Sequence, residues 1–251
     1  MVCEHSFTMF RLGLLNPNTD RGHTEAMAGV ARSVLPEGSE VLAASPERGP
    51  ASIESAADAV VAAAEMLALL RSLPPQDAYL VACFGDPGLD AARELTDAPV
   101  VGMGEAAFRA ACLVATRFGV VTTLARGVPA IEEAARRYGV AERLLAVEAL
   151  DIPVSEQGGG HPATTDAIVA AAGRLVARRA EAVVLACGGM ADVAATVQQR
   201  TGAPVCDGVA FGALLAHALW RAGLRTSSAG AYASPEPIPY RGMAPFTETQ
   251  G

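Results

Sequence analysis

Two cysteines in this sequence have the surroundings that proton-transfer chemistry needs. Cys83 and Cys187 each end an apolar run and are followed by glycines, in the segments LVACFGDPG and VLACGGMAD. Glycine permits a sharp turn that leaves backbone N–H groups free, and a helix that starts after the turn adds partial positive charge. Such a turn can hold an oxyanion, and it is expected to lower the pKa of the thiol below its reference value of about 8.5.

Two thiols that face each other across a bound carbon could invert its configuration. A thiolate removes the proton from one face while the opposite thiol delivers a proton to the other face. The carbon must lie beside a carbonyl, because hydrogen-bond donors then stabilise the enolate that forms. Candidate donors stand at the ends of two predicted strands: Asn16, Thr19, Thr122 and Thr123. These residue types fit inversion at an acidic carbon without a metal or pyridoxal cofactor.

Each of these residues also has a purely structural interpretation. A cysteine that ends a buried strand is often a small, inert core residue. Residues 16–19 are also typical of a turn and helix cap, and threonine is common at strand ends. Cys3 is predicted to be terminal and idle, Cys112 and Cys206 to serve packing, and His23 either to aid proton transfer or to form polar surface. The matched pair of glycine turns favours a function for the two cysteines that precede them.

The two cysteines belong to an internal repeat. RLGLLN at 11–16 reappears in type as RFGVVT at 117–122, and residues 80–102 reappear as 184–208. The offset is 104 residues between Cys83 and Cys187, and 106 between the last residues of the first pair of segments. A duplicated α/β unit with an approximate twofold axis would make equivalent strand ends face each other. The sequence therefore predicts a cleft with one cysteine on each side, at the carboxyl ends of strands where ligands bind.

Short β-type runs alternate with Ala-rich helical stretches, which is typical of a parallel sheet covered by helices. The predicted strands are Arg11–Asn16, Glu40–Ala43, Ala78–Cys83, Val100–Gly102, Phe118–Thr122, Leu144–Glu148, Ala182–Cys187 and Pro204–Cys206. The predicted helices are Ile53–Leu70, Glu105–Ala115, Ile131–Tyr138, Thr165–Arg179, Ala191–Arg200 and Val209–Arg221. We expect an α/β fold of two pseudosymmetric, duplicated parallel-sheet halves with the active site between them. The first half comprises residues 1–105 plus about 205–225, the second 106–204, and residues 226–251 form an extended or disordered tail; Gly158–Pro162 is predicted to be a mobile loop.

Composition excludes several functional classes. The chain has 251 residues, 51% of them hydrophobic, which is ample for a buried core, and its net charge of −8 argues against a nucleic-acid partner. All 19 basic residues are Arg, so there is no Lys for a Schiff base or a phosphate loop. The four His are scattered and no metal-ligand spacing occurs, which predicts no metal site. Neither a signal peptide nor an apolar stretch of membrane length is visible, which predicts a cytoplasmic protein without a membrane partner and with reduced thiols.

Six segments together resemble the aspartate/glutamate racemase superfamily, and most closely the hydantoin racemases: LLNPNTD, ACFGDPGLDAARE, PVVGMGEAA, RFGVVTTLARGVPAIEEAARRYG, VVLACGGMAD and APVCDGV. They extend from Leu14 to about Ala216. Hydantoin racemases are two-cysteine, cofactor-independent enzymes of pseudosymmetric α/β fold that typically form oligomers. The resemblance implies that Cys83 and Cys187 act as the acid/base pair at C5 of a 5-substituted hydantoin, in a homo-oligomer. It also implies that the ring and its carbonyls are held by Asn16, Thr19, Phe84, Gly85, Thr122, Thr123, Gly188 and Gly189.

Departures from related families narrow the substrate. Where glutamate racemases have Asp-Ser-Gly, Asn-Thr and Thr-His, this chain has residues 16–19, Phe84-Gly85 and Gly188-Gly189. Side chains that would bind an amino-acid carboxylate are missing, which favours a neutral ring. Within the hydantoin racemases, Asp20, His23 and Ala186 replace a Ser, a Met and a Gly. The alternatives are an allantoin racemase, an aspartate/glutamate racemase or, in a different class, a binding protein with a thiol switch. Arylmalonate decarboxylases share much of the pattern but keep only the second cysteine, so Cys83 argues against that chemistry.

Overall fold

Two four-stranded parallel sheets form the framework of the chain. The computed structural model describes residues 9–152, 161–236 and 238. The strands are β1 (Arg11–Leu15), β2 (Glu40–Ala44), β3 (Ala78–Val81), β4 (Val100–Gly102), β5 (Phe118–Thr122), β6 (Leu144–Ala149), β7 (Ala182–Leu185) and β8 (Val205–Asp207). The sheet orders are β2-β1-β3-β4 and β6-β5-β7-β8, with every neighbouring pair parallel. The two orders are equivalent, so the predicted fold class of two duplicated parallel-sheet halves is confirmed.

Burial explains why the central strands are continuous apolar runs. Strands β3, β5 and β7 are buried at every position, and β1 at every position after its first residue. Strands β2 and β6 lie at sheet edges and are only partly buried. A parallel sheet with helices on both faces requires this pattern. The strand ends also match: Ala82 N–H donates to the Leu15 carbonyl at 2.8 Å, and Ala186 N–H to the Val121 carbonyl at 2.9 Å.

Eight α-helices surround the sheets within the described residues. They are α1 (Arg21–Val34), α2 (Ala56–Ser72), α3 (Leu89–Glu94), α4 (Met103–Val114), α5 (Val128–Arg137), α6 (Pro162–Ala177), α7 (Ala194–Thr201) and α8 (Gly208–Arg221). The predicted helices do not include α1 or α3, and the one predicted over residues 191–200 is a 3-10 helix, Gly188–Val193, followed by α7. None of the described helices has the length and apolar character needed to cross a bilayer.

Helices α4 and α8 cross between the two sheets. Helix α4 follows β4 but packs against β7 and β8, while α8 follows β8 and packs against β3 and β4. The two helices also pack against each other, and a Cβ atom at Gly208 would overlap the Met103 carbonyl oxygen. Phe108 of α4 is fully buried, with its ring 5.3 Å from that of Phe84 and 5.7 Å from that of Phe118. One core therefore joins both sheets; the residue bounds given above for the two halves stay a prediction.

The described part of the tail lies against its own chain. Thr226 donates from its N–H to the Asp97 carbonyl at 2.9 Å and from its hydroxyl to the Ala98 carbonyl at 2.8 Å. Tyr232 lies 3.3 Å from an oxygen of Asp90, beside α3. The remaining predictions for the tail, for residues 158–160 of the predicted loop and for the N-terminal cysteine fall outside the described residues.

Candidate active site

Both candidate cysteines line one cleft at the carboxyl ends of the strands. Its volume is about 340 Å³. One part of the wall is formed by Asn16, which follows β1, and by residues 82–85, which follow β3. A second part of the wall is formed by residues 122–124, at the end of β5, and 186–189, after β7. Because equivalent strands of the two sheets supply these parts, the duplication brings the two thiols to one space.

Seven of the eight predicted binding residues line this cleft: Asn16, Phe84, Gly85, Thr122, Thr123, Gly188 and Gly189. Thr19 does not line it. Its N–H donates to the Pro50 carbonyl at 3.0 Å, and its hydroxyl lies 3.5 Å from the same oxygen. Thr19 therefore fastens the loop after β1 to the segment that precedes α2, and Asn18 faces the cleft in its place.

Burial sets the acidity of both thiols. It raises the pKa of Cys83 to about 12 and that of Cys187 to about 11. The backbone N–H of Gly85 favours the Cys83 thiolate, and that of Gly189 favours the Cys187 thiolate, but neither offsets the loss of water. The expected lowering of the thiol pKa is therefore wrong, since the turns supply the donors but lie too deep. The charge on Cys187 also raises the pKa of Cys83, so the two thiols are close enough to interact.

The polar residues that end β1 and β5 differ in their hydrogen bonding. The Asn16 amide group donates to the Asn18 side chain at 2.7 Å, to the Thr24 hydroxyl at 2.8 Å and to the Asp20 carbonyl at 3.2 Å. Because its amide hydrogens are already bonded within the loop after β1, the Asn16 side chain stabilises that loop. Thr122 is 4% exposed, and its hydroxyl has no hydrogen-bond partner within the described part of the chain. Of the two equivalent residues, Thr122 is the one with a free donor in the cleft.

Sequence reasoning missed much of the rest of the lining. His23 faces the cleft with its Nδ1 3.2 Å from an Asp20 carboxylate oxygen, so it is not simple polar surface. Glu54 and Arg126 also line the cleft. A set of apolar side chains completes it: Met27, Ile53, Ala56, Ala59, Leu124, Ala130, Ile131 and Ala134. These residues come from α1, from α2 and its approach, from the end of β5 and from α5. The sequence predicted α2 and α5 as helices, but a helix prediction does not show which of its faces reaches the cleft.

No three His, Cys, Asp or Glu side chains within the described ranges are grouped so that they could hold a metal ion.

Comparison with known proteins places the chain among racemases. A model of the family described as Asp/Glu/Hydantoin racemase matches residues 12–216. Hydantoin racemases from Rhizobium meliloti and Paenarthrobacter aurescens are 38% and 36% identical, over 88% and 90% of this chain and 93% and 97% of their own. The structure of allantoin racemase from Klebsiella pneumoniae has a TM-score of 0.90 at 36% identity, and the match covers 94% of this chain and 98% of that one.

Proposed function

Because the chain belongs to the Asp/Glu/Hydantoin racemase family and is a racemase with a small-molecule substrate, we propose that it racemises 5-substituted hydantoins by proton transfer between Cys83 and Cys187. The observation that supports the proposal is that both thiols line one cleft. Each thiol follows an equivalent strand, and each is served by the backbone N–H two residues further on. A racemase that works from both faces of a carbon needs this arrangement.

The proposed reaction moves one proton on and one proton off the ring carbon. In one direction the Cys83 thiolate takes the proton from C5, and the electron pair of the C–H bond passes to the adjacent carbonyl oxygen as an enolate. The Cys187 thiol then gives its proton to the opposite face of C5 as the carbonyl re-forms. The protein ends with a thiol at Cys83 and a thiolate at Cys187, which is the state that the reverse reaction starts from. No redox change and no cofactor enters this balance.

Stabilisation of the enolate is the second requirement. Thr122 is the best candidate donor, because its hydroxyl lines the cleft, is buried and has no other partner among the residues described. Thr123 lines the same wall. A donor placed where charge develops contributes most when water is excluded.

The apolar lining favours hydantoins with an apolar C5 substituent over allantoin. Met27, Ile53, Leu124 and Ile131 offer no hydrogen bond to the ureido group that allantoin carries at C5, and a ureido group buried against them would lose free energy unless it reached Glu54 or Arg126 elsewhere in the lining. An alkyl or benzyl substituent gains from the same surface. Allantoin racemisation remains the second candidate, supported by the likeness to the allantoin racemase structure.

The test is proton NMR of single enantiomers in deuterated water with the purified protein. One enantiomer of 5-benzylhydantoin should lose its C5 proton signal while its optical rotation falls. S-allantoin, L-aspartate and L-glutamate are run beside it. If only allantoin exchanges its carbon-bound proton, hydantoins are not the substrate, but the proton-transfer mechanism is retained. If no compound exchanges, a binding protein whose thiols form a redox-sensitive disulfide is the better explanation.

Serine variants test the two-thiol mechanism. Cys83→Ser and Cys187→Ser should each abolish racemisation, although the remaining thiol can still exchange the C5 proton of one enantiomer. Cys112→Ser is the matched control, because Cys112 is a free thiol on α4 that does not line the cleft. It should racemise at the wild-type rate. The two-thiol mechanism is wrong if both cleft variants racemise as fast as this control.

We also predict a cytoplasmic location and assembly into a homo-oligomer. Sedimentation velocity measures the oligomer directly, and a monomer at micromolar concentration would contradict that prediction.

A further inference from the structure

Asp86, three residues after Cys83, joins three parts of the molecule. Its carboxylate is 2% exposed and accepts hydrogen bonds from the Gly104 N–H at 3.0 Å, the Glu105 N–H at 2.8 Å and the Tyr138 hydroxyl at 2.6 Å. The first two bonds cap the start of α4, where Gly102 offers no side chain of its own. The third reaches the residue that ends α5. Through its own N–H, Asp86 also donates to the Cys83 carbonyl at 3.0 Å.

The turn that carries Cys83 is packed directly on the backbone of α4. A Cβ atom at Gly104 would overlap the Phe84 carbonyl oxygen, and one at Gly102 would lie 2.5 Å from the carboxyl carbon of Asp86. Asp86 itself has a φ of +47°, in the left-handed region that non-glycine residues rarely adopt. Such a conformation persists only where the surroundings hold it firmly. The position of Cys83 therefore depends on how Asp86 is held.

The carboxylate also has an electrostatic effect on Cys83. Its negative charge raises the pKa of Cys83, after the larger effect of burial. Burial raises the pKa of Asp86 itself to about 7, against the opposing effect of its three hydrogen bonds. The other charged or titratable groups that act here are Tyr138 and Arg137 from α5 and Glu105 from α4. The pKa of Cys187, by contrast, is raised by burial and lowered by the hydrogen bond from the Gly189 N–H.

We propose that Asp86 is a positioning residue that holds the Cys83 turn against α4 and α5, and whose negative charge restrains thiolate formation at Cys83 but not at Cys187. A role for Asp86 in catalysis rests on the proposed function, whereas the effect of its carboxylate on the Cys83 thiol does not. The two sides of the cleft are therefore unequal as bases, although their backbones are equivalent. Protonation of Asp86 releases Cys83 from the nearby charge, and ionisation of Asp86 restores it.

Thiol alkylation tests the inference without any substrate. In a Cys187→Ser background, the rate at which iodoacetamide modifies Cys83 is followed from pH 6 to 10, with the modified peptide identified by mass spectrometry. Asp86→Asn removes the charge and keeps the shape, so Cys83 should react roughly three- to tenfold faster at pH 8, where the wild-type carboxyl is mostly ionised. In a Cys83→Ser background, the same substitution should leave the rate at Cys187 unchanged.

Two further variants separate charge from folding. Tyr138→Phe keeps the carboxylate and both backbone bonds but removes a hydrogen bond that favours ionisation. In this variant, the alkylation rate of Cys83 at pH 8 should lie between those of wild type and Asp86→Asn. Tyr138→Phe therefore tests the inference even if Asp86→Asn does not fold. Asp207→Asn is the matched control: Asp207 is a buried cap of α8, bonded to the N–H groups of Val209 and Ala210, and its charge does not act on either cleft thiol.

Identical pH profiles for Cys83 in folded wild type, Asp86→Asn and Tyr138→Phe would overturn the inference. An equal change at Cys187, or in Asp207→Asn, would show a general loosening rather than the proposed effect. Racemisation assays on the same proteins distinguish the two proposals. Suppose that alkylation changes as expected but neither the wild type nor any variant racemises a hydantoin. The proposed function is then wrong, while the effect of Asp86 on Cys83 stands.

Discussion

An alanine at Gly104 should disturb the turn that carries Cys83, because there is no room for its side chain. The added Cβ atom would overlap the Phe84 carbonyl oxygen and lie 3.0 Å from an Asp86 carboxylate oxygen. Neither atom can move easily. The first is backbone, and the second, Oδ2, accepts hydrogen bonds from the Glu105 N–H and the Tyr138 hydroxyl.

The magnitude follows from two opposing effects at this helix start. Helix propensity alone favours alanine over glycine by at most about 1 kcal/mol. Forcing extra volume into a packed site costs about 1–3 kcal/mol. The free energy of unfolding of Gly104→Ala should therefore fall by about 1–2 kcal/mol, which lowers Tm by roughly 2–8 °C in a chain of this size.

Urea unfolding measures the stability, and alkylation of Cys83 in the Cys187→Ser background measures the turn. Gly173→Ala is the control, since Gly173 lies within α6 and a Cβ atom there meets nothing within 4 Å. That variant should be more stable than wild type by about 0.5–1 kcal/mol and leave the thiol rate unchanged. If Gly104→Ala were as stable as Gly173→Ala, with Cys83 equally reactive, the claim that this glycine is required by close packing would be refuted.

Three further predictions concern pH, a helix cap and the substrate. Because the thiol pKa values are raised to about 11 and 12, the thiolate fraction and with it kcat/KM should rise about tenfold between pH 8 and 9, where Asp86 is already ionised, after subtraction of the uncatalysed rate; a flat profile would contradict this. Ser55 caps α2 by accepting the Asp58 N–H at 3.2 Å, so Ser55→Ala should lower the free energy of unfolding by about 1 kcal/mol, and an unchanged urea midpoint would exclude the cap as a contributor. Leu124→Ser should raise KM for 5-benzylhydantoin more than for 5-methylhydantoin, and equal effects would show that the substituent does not lie on the apolar wall.

The strands were predictable because their sequence signal is local. All eight predicted strands are present, and their ends differ from those observed by at most two residues. The buried positions of the four central strands, β1, β3, β5 and β7, are almost all apolar. The repeat added long-range information, since the similar offsets of 106 residues for Asn16 and 104 for Cys83 implied equivalent strand ends. The sequence analysis did not predict helix α1, because Gly22 and Gly29 weaken its helical signal, although its buried positions have helical spacing.

The chemistry at the strand ends was less predictable. Residue types indicated the loop after β1, but only the fold shows that Thr19 turns to Pro50 while Asn18 faces the cleft. The direction of the thiol pKa shifts depends on how deeply the helices cover the turns, which no single segment encodes. The Asp86–Tyr138 hydrogen bond joins residues 52 positions apart and leaves no local pattern.

The crossing of α4 and α8 has a consequence for how the cleft can change shape. A rotation of one sheet against the other would shear α4 along α8, where Gly208 lies against the backbone at Met103 and Gly212 against Ala106. Close-packed interiors resist such sliding because each small displacement breaks many contacts at once. We therefore expect the separation of Cys83 and Cys187 to change little when a ligand binds, so that adjustment to the ligand is left to the side chains that line the cleft.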